Sequence, residues 1–219
     1  MKFPPLAIER TPTRRTTKTS KEKIIIPKFI KKFMFIILFY PIVVIYIYKA
    51  RKYSLIMDKI RDLNGPFINS LDNTKYMVIF LHGWGSDGND LIQLANYWQK
   101  DLKNAVFLAP NGPETCNANP LGRQWFDILS EDKSIMYDGI QRACNDLKSY
   151  ILNNLAKYNL SDNAYFLVGF SQGTMLALHT SLRNKCMGIV GYSGGLVDYK
   201  TPSNFELNNT LLLHGKKDT

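Results

Sequence analysis

A serine flanked by glycines is the first feature of this chain that could do chemistry. Residues Gly169 to Gly173 read GFSQG, the G-x-S-x-G pattern in which a sharp strand-to-helix turn presents a serine hydroxyl as a nucleophile. Such a turn strains the serine backbone, and glycines beside it avoid clashes with the neighbouring chain. A hydroxyl held in this way attacks a carbonyl when a histidine takes its proton and an acid orients the histidine. The pattern therefore points to acyl-transfer chemistry at Ser171.

A second match to the pattern, GYSGG from Gly191 to Gly195, means that the first is not decisive by itself. With glycine and serine each near 7% of residues, chance produces the pattern about once in fifteen chains of this length. The residues that follow separate the two matches. QGTMLALHTSL after Ser171 favours a helix, whereas GGLVDYKTPSNFELNN after Ser193 has a proline and no helical period. Ser171 is therefore the predicted nucleophile, and Ser193 is predicted to be a turn residue at a strand end.

The glycine-dense stretch LHGWGSDGNDL, Leu81 to Leu91, follows the first strongly apolar run of the chain. Acyl transfer needs two backbone N–H donors for the oxyanion, one after the nucleophile and one from a loop after an earlier strand. Here those donors are predicted to be Gln172 and Trp84. The alternative is a glycine-rich turn with no catalytic role.

The elements that must position these residues alternate between apolar runs and helical segments. The runs KYMVIFLHG, NAVFLAP, NAYFLVGF, CMGIVGYSG and NTLLLHG suit parallel strands covered on both faces. One helix is predicted over roughly Asp90 to Leu102, and a longer amphipathic one begins with Asp138 as its N-cap. This order predicts a doubly wound α/β sheet. The chain has no metal-ligand spacing, GxGxxG or Walker loop, so no metal or cofactor is expected.

Four motifs in order carry a resemblance to a known family: FLHGWGSDGNDL, APNGPE followed by GRQWFDI, VGFSQGTMLAL, and LLLHGKKD. Together they resemble the phospholipase/carboxylesterase family of α/β-hydrolases, relatives of the acyl-protein thioesterases, over about Asp62 to Asp218. The resemblance implies an α/β-hydrolase fold with a mostly parallel sheet and a small acyl ester or thioester as substrate. It implies no nucleic-acid partner and leaves the oligomeric state unknown.

The resemblance also assigns roles to single residues. Ser171 matches the nucleophile, and Trp84 and Gln172 match the oxyanion donors. Asp218 matches the triad acid, because it follows the predicted strand that ends in LLL. Trp125, in the QWFDI stretch, would lie near the acyl pocket, with a core tryptophan as the alternative.

The chain departs from the family pattern at the histidine. Family members run in the order serine, acid, histidine, with the histidine after a further strand, and no histidine follows Asp218. His82, His179 and His214 are each expected to be structural instead. The triad histidine, the last strand and the closing helix are therefore predicted to be missing, which leaves the fold C-terminally incomplete. A catalytically inactive remnant is the alternative to a working hydrolase.

The first 56 residues differ in composition from the rest. They carry 13 Lys and Arg against 2 acids, whereas the remainder carries 15 against 16, so the globular part is neutral and shows no nucleic-acid footprint. Residues 1–32 are predicted to be a disordered basic tail. Residues 57–219 are predicted to be the α/β-hydrolase domain. Its three separated cysteines, Cys116, Cys144 and Cys186, suit reduced, structural thiols.

The apolar segment FMFIILFYPIVVIYIY, Phe33 to Tyr48, has two interpretations. As a helix it would span roughly 24 Å, short of a hydrocarbon core of about 30 Å, but flanking lysines could snorkel to the interface. It is either a membrane anchor or upstream sequence before a true start at Met57. The protein is expected to be cytoplasmic if it starts at Met57 and membrane-anchored otherwise. A membrane-tethered protein without enzymatic function is a third possibility.

Overall fold

A computed structural model describes residues 60–197 and 208–217 of the chain. The described residues belong to one unit, Ser54–Thr219. The predicted basic tail, the apolar segment Phe33 to Tyr48, the alternative start Met57 and the predicted acid Asp218 all lie outside the described residues. The predictions that rest on these residues stay predictions. They include the domain boundaries and the choice between a cytoplasmic and a membrane-anchored protein.

Each of the five apolar runs of the sequence forms a strand of one central sheet. In chain order the strands are β1 (Phe67–Ile68), β2 (Tyr76–Leu81), β3 (Ala105–Leu108), β4 (Glu114–Thr115), β5 (Arg123–Gln124), β6 (Tyr165–Phe170), β7 (Gly188–Tyr192) and β8 (Thr210–Leu213). The main sheet has the order β1-β3-β2-β6-β7-β8, and β4 pairs separately with β5. Only β1 runs antiparallel to its neighbour in the main sheet. The predicted mostly parallel sheet is confirmed.

Four helices connect these strands in the described part of the chain: α1 (Gly88–Ile92), α2 (Ala95–Trp98), α3 (Lys133–Lys157) and α4 (Gln172–Ser181). The single helix predicted over roughly Asp90 to Leu102 is therefore two short helices, α1 and α2. No glycine or proline stands between them to explain the break.

The predicted N-cap of the long helix was wrong. Helix α3 begins at Lys133, and the Asp132 side chain caps it by accepting from the Ser134 N–H at 2.8 Å. Asp138 lies inside the helix. The neighbouring Gly139 also lies inside the helix, and its missing side chain serves packing, because a Cβ there would lie 2.9 Å from the Phe126 Cβ. A glycine that lets a helix approach a side chain looks, in the sequence, like a glycine that ends one.

The core lies on both faces of the sheet, as a doubly wound fold requires. Alternate residues of β2 divide between the two sides: Met77, Ile79 and Leu81 pack with α3 and α4, whereas Val78 and Phe80 pack with α1 and α2. Every residue of β2 after Tyr76 is buried. β2 is thus the central strand that carries the loop beginning at His82.

The winding of the sheet reverses beside β2. β3 lies on one side of β2 and β6 on the other, both parallel to it. Ligands of open α/β sheets bind at such a switch point, beyond the carboxyl ends of the strands. Leu81 and Gly169 are paired across β2 and β6, so the loop after Leu81 and the turn at Ser171 leave the sheet side by side.

Candidate active site

Ser171 occupies the strand-to-helix turn that the sequence predicts. It follows β6 directly, stands at the N-cap of α4, and has φ 49° and ψ −112°. Positive φ at a residue with a side chain is strained and persists only where surrounding contacts impose it. Those contacts are present, because the Ser171 N–H donates to the Tyr192 carbonyl at 2.8 Å and the Ser171 carbonyl accepts from the Thr174 N–H at 2.9 Å.

The flanking glycines are there because backbone lies where their side chains would be. A Cβ on Gly169 would lie 2.5 Å from the Thr174 nitrogen. A Cβ on Gly173 would overlap the Leu81 carbonyl oxygen and lie 2.5 Å from its carbon. α4 therefore starts in direct contact with the end of β2, which brings the serine turn against the loop after that strand.

The second G-x-S-x-G match forms a turn of similar backbone strain but leads to no helix. Ser193 follows β7 with φ 51°, and its N–H donates to the Leu213 carbonyl at 2.9 Å. No helix follows it within the described residues up to Val197. The prediction that Ser193 is a turn residue at a strand end is confirmed. The Ser193 turn also packs directly against the Ser171 turn, since a Cβ added to Gly194 would lie 2.5 Å from the Ser171 carbonyl oxygen.

The backbone N–H groups of the two predicted oxyanion donors, Gln172 and Trp84, have no hydrogen-bond partner among the described residues. Gln172 is the first residue of α4, and the first N–H groups of a helix have no intrahelical acceptor. Trp84 stands in the loop after β2, and its backbone N–H has no hydrogen-bond partner among the described residues. The helix N-terminus adds partial positive charge at the same place. The two predicted oxyanion donors thus follow neighbouring strands, β6 and β2.

The side chain of Gln172 is committed elsewhere. It is buried, its Oε1 accepts from the Trp125 N–H at 3.0 Å, and its Nε2 donates to the Phe126 carbonyl at 2.7 Å. These two hydrogen bonds hold the segment at Trp125 and Phe126 against the start of α4. Only the backbone of Gln172 is then left to face a ligand.

Trp125 is a core residue, which is the alternative reading of the sequence. It is fully buried, its indole N–H donates to the His82 carbonyl at 2.9 Å, and its ring stacks on the His82 ring with centroids 5.0 Å apart. Trp125 therefore supports the loop after β2 through its contacts with His82, the first residue of that loop. The sequence predicted that Trp125 lies near the site, but it did not indicate the hydrogen bond from the indole to the His82 carbonyl.

His82 is a structural residue, as expected. Its Nδ1 lies 2.8 Å from the Gly83 carbonyl, and its Nε2 lies 2.8 Å from the Gly112 nitrogen, which can only donate. Nε2 must therefore accept, so the neutral ring carries its proton on Nδ1. Burial lowers the pKa of His82. A second ring proton would face the Gly112 N–H, so this imidazole has no free nitrogen for a serine.

Of the other two histidines, His179 is engaged by the backbone and His214 is exposed. His179 is buried on α4, where its Nε2 accepts from the Val197 N–H at 3.0 Å, and burial lowers its pKa. His214 is exposed just after β8. β8 runs parallel to β7 with Leu213 beside Tyr192, so the residues after it leave the same edge of the sheet as Ser171. Asp218 lies outside the described residues.

Two cavities stand out among the described residues, and Ser171 lines neither of them. One of about 330 Å³ is lined by Lys148, Arg183 and others near the amino ends of the strands. The other, about 410 Å³, is an apolar groove over Val78, Val168 and Val190 on the sheet face.

In the described ranges, no group of His, Cys, Asp or Glu could hold a metal ion. Across the same residues, no helix has the length and apolar character needed to cross a membrane.

Comparison with known proteins decides the family. The family model described as Phospholipase/Carboxylesterase matches residues 65–219. The chain belongs to the phospholipase/carboxylesterase family. This family member is 36% identical over 129 residues to acyl-protein thioesterase 1 of Saccharomyces cerevisiae, covering 53% of this chain and 56% of that protein. It is 33% identical over 141 residues to acyl-protein thioesterase 1 of Schizosaccharomyces pombe, covering 61% and 62%. It therefore spans less than two thirds of the length of both relatives.

Solved structures agree on the fold of this family member. The crystal structure of esterase PE8 matches with a TM-score of 0.65 and 34% identity, covering 70% of this chain and 74% of that one. The carboxylesterase of Bacillus cereus matches with a TM-score of 0.53 and 19% identity, covering 69% of each, which bears on the fold alone. The predicted α/β-hydrolase fold is confirmed.

Proposed function

We propose that this chain carries the nucleophile and the oxyanion donors of a serine hydrolase that cleaves carboxylic esters or thioesters. The observation that carries the proposal is the Ser171 turn. A serine with positive φ joins a buried parallel strand to a helix, and backbone packing excludes side chains from both flanking glycines. Strained residues cluster at active sites, and the helix that follows Ser171 distinguishes its turn from the similarly strained turn at Ser193.

The proposed reaction begins with attack of the Ser171 Oγ on the substrate carbonyl carbon. The carbonyl π electrons move to oxygen, and the backbone N–H groups of Trp84 and Gln172 stabilise the oxyanion. An imidazole takes the serine proton and returns it to the leaving alcohol or thiol, which leaves an acyl-enzyme for water to hydrolyse. Asp218 is the proposed acid that orients this imidazole.

His82 and His179 are poor candidates for that imidazole, because each accepts a backbone N–H through Nε2. This observation also favours a second candidate, an α/β-hydrolase fold that does not turn over unless another segment supplies the base. General base catalysis contributes about two to four powers of ten. The two candidates therefore predict very different rates.

The substrate class follows from the relatives by analogy. Two are named acyl-protein thioesterases and one solved relative is named an esterase. Both names describe attack on an acyl carbonyl, which is the chemistry proposed for Ser171. A small acyl ester or thioester is therefore the proposed substrate.

The test measures p-nitrophenyl butyrate hydrolysis by the chain and by a chimera. The chimera carries, fused to the end of the chain, the segment that follows β8 in a full-length relative. We expect little turnover by the chain and turnover by the chimera that Ser171→Ala lowers at least about a thousandfold. Ser193→Ala is the matched control, because it truncates the serine of the other motif at nearly the same φ. Activity that survives Ser171→Ala would reject the nucleophile, and equal activity of chain and chimera would reject the need for a further base.

A further inference from the structure

A line of polar side chains runs from the loop after β2 to helix α3. The Trp84 indole N–H donates to Gln124 Oε1 at 2.9 Å, and Gln124 Nε2 donates to Glu114 Oε2 at 3.1 Å. Glu114 Oε1 accepts from Arg61 Nη1 at 2.7 Å, and Arg61 Nε donates to Asp146 Oδ2 at 2.8 Å. The line thus joins four segments that are far apart in the sequence.

The charges along this line set the orientation of the Gln124 amide. An ionised carboxylate can only accept hydrogen bonds, so the amide NH₂ must face Glu114 and the amide oxygen must face Trp84. Gln124 is 3% exposed, so water cannot readily replace either partner, and a buried polar group without a partner is costly. Arg61 holds Glu114 in place, because its guanidinium also contacts the buried Asp146.

The loop around Trp84 is otherwise held through its neighbours. The Gly85 N–H donates to the Arg123 carbonyl at 3.0 Å, and the Arg123 N–H donates to the Ser86 carbonyl at 2.8 Å. Trp84 itself makes no backbone N–H bond among the described residues, and its side-chain bond goes to Gln124. The indole is therefore the polar group that sets the direction of this residue.

We infer that Gln124 and Glu114 are positioning residues that orient the Trp84 backbone N–H toward the oxyanion through the Trp84 indole. The inference rests on the proposed role of Trp84 in catalysis. Neither residue touches the reacting atoms. Their effect passes through one hydrogen bond, whose loss lets the loop rotate about Trp84.

Exchanging the two side chains tests the inference on the chain itself. Gln124→Glu alone places two carboxylates side by side at positions 114 and 124, and their repulsion should displace the side chain at 124 from the Trp84 indole. The double variant Gln124→Glu/Glu114→Gln restores it, since the carboxylate at position 124 accepts from the indole and the amide at 114 donates to it and accepts from Arg61. Thr180→Val is the matched control, because Thr180 is buried and loses one hydrogen bond, to Cys144, away from this line.

The first readout is hydrogen exchange of the Gly85 and Ser86 amides, which needs no activity. Gln124→Glu should speed exchange at least about tenfold, the double variant should return it to within about threefold of the parent, and Thr180→Val should leave it unchanged. Unchanged exchange in Gln124→Glu, or no recovery in the double variant, overturns the inference.

The second readout is the rate at which a fluorophosphonate labels Ser171 in the chimera described under the proposed function, because the phosphonyl oxygen of the probe occupies the oxyanion position. Losing one oxyanion donor costs about two to three powers of ten in rate, so Gln124→Glu should slow labelling at least tenfold and the double variant should recover it. Faster exchange with unchanged labelling also overturns the inference. If the chimera takes no label that Ser171→Ala removes, the proposed function fails, and exchange alone decides whether these residues hold the loop.

Discussion

Adding one methyl group at Gly173 should destabilise the fold, although alanine is the better helix former. The new Cβ would lie 2.5 Å from the Leu81 carbonyl carbon and 2.8 Å from the His82 carbonyl oxygen. Carbon atoms pack best about 3.5–4.0 Å apart, so α4 or the end of β2 must move by about 1 Å. Overpacking of this kind costs up to about 3 kcal/mol. The helix propensity of alanine offsets at most about 1 kcal/mol.

The expected net loss is therefore about 2 kcal/mol. For a chain of 219 residues, that loss should lower the unfolding temperature by roughly 4–8 °C. The assay is a thermal unfolding scan of the parent, Gly173→Ala and Gly195→Ala. Gly195 ends the other G-x-S-x-G match and has nothing within 4 Å of an added Cβ, so its variant should unfold with the parent. An unshifted Gly173→Ala, or equal shifts in both variants, would refute the packing argument.

Three further predictions concern capping, pH and thiols. Asp132→Ala should lower the unfolding temperature because it removes the cap of α3, whereas Asp138→Ala should have a smaller effect; the reverse order would contradict the observed helix start. Burial lowers the pKa of His82 and of His179, so the unfolded chain binds more protons, and stability in urea should fall as pH drops below about 6.5. His179→Gln should reduce that slope, and a flat profile between pH 7.5 and 5.5 would count against buried neutral rings. Burial raises the pKa of Cys144 to about 11, so native protein should react with iodoacetamide at pH 8 far more slowly at Cys144 than unfolded protein, as measured by mass spectrometry; equal rates would show that the thiol is accessible.

The sequence by itself determined the strands, the sheet class and the serine turn. Apolar runs of strand length, each ended by a turn, leave few ways to bury both faces of a parallel sheet. The G-x-S-x-G turn is likewise local, because the positive φ of Ser171 and the crowding between Gly169 and Thr174 arise where a strand passes directly into a helix. Choosing between Ser171 and Ser193 needed only the residues that follow each one.

Local patterns gave the wrong start for α3. Gly139 packs against Phe126, which lies 13 residues earlier in the chain, before the loop that leads into α3. In the sequence, a glycine after an aspartate looks like a helix boundary, and nothing nearby distinguishes the two cases.

Only the tertiary structure decided how the candidate site is supported. It assigned Trp125 to the core, occupied both His82 nitrogens, and joined Trp84 to Gln124. Apart from the contact of His82 Nδ1 with the adjacent Gly83 carbonyl, these bonds join residues 30, 40 and 43 positions apart in the chain. Hydrogen bonds of that kind leave no periodic trace in the sequence, because their partners meet only after the strands have paired and the helices have packed.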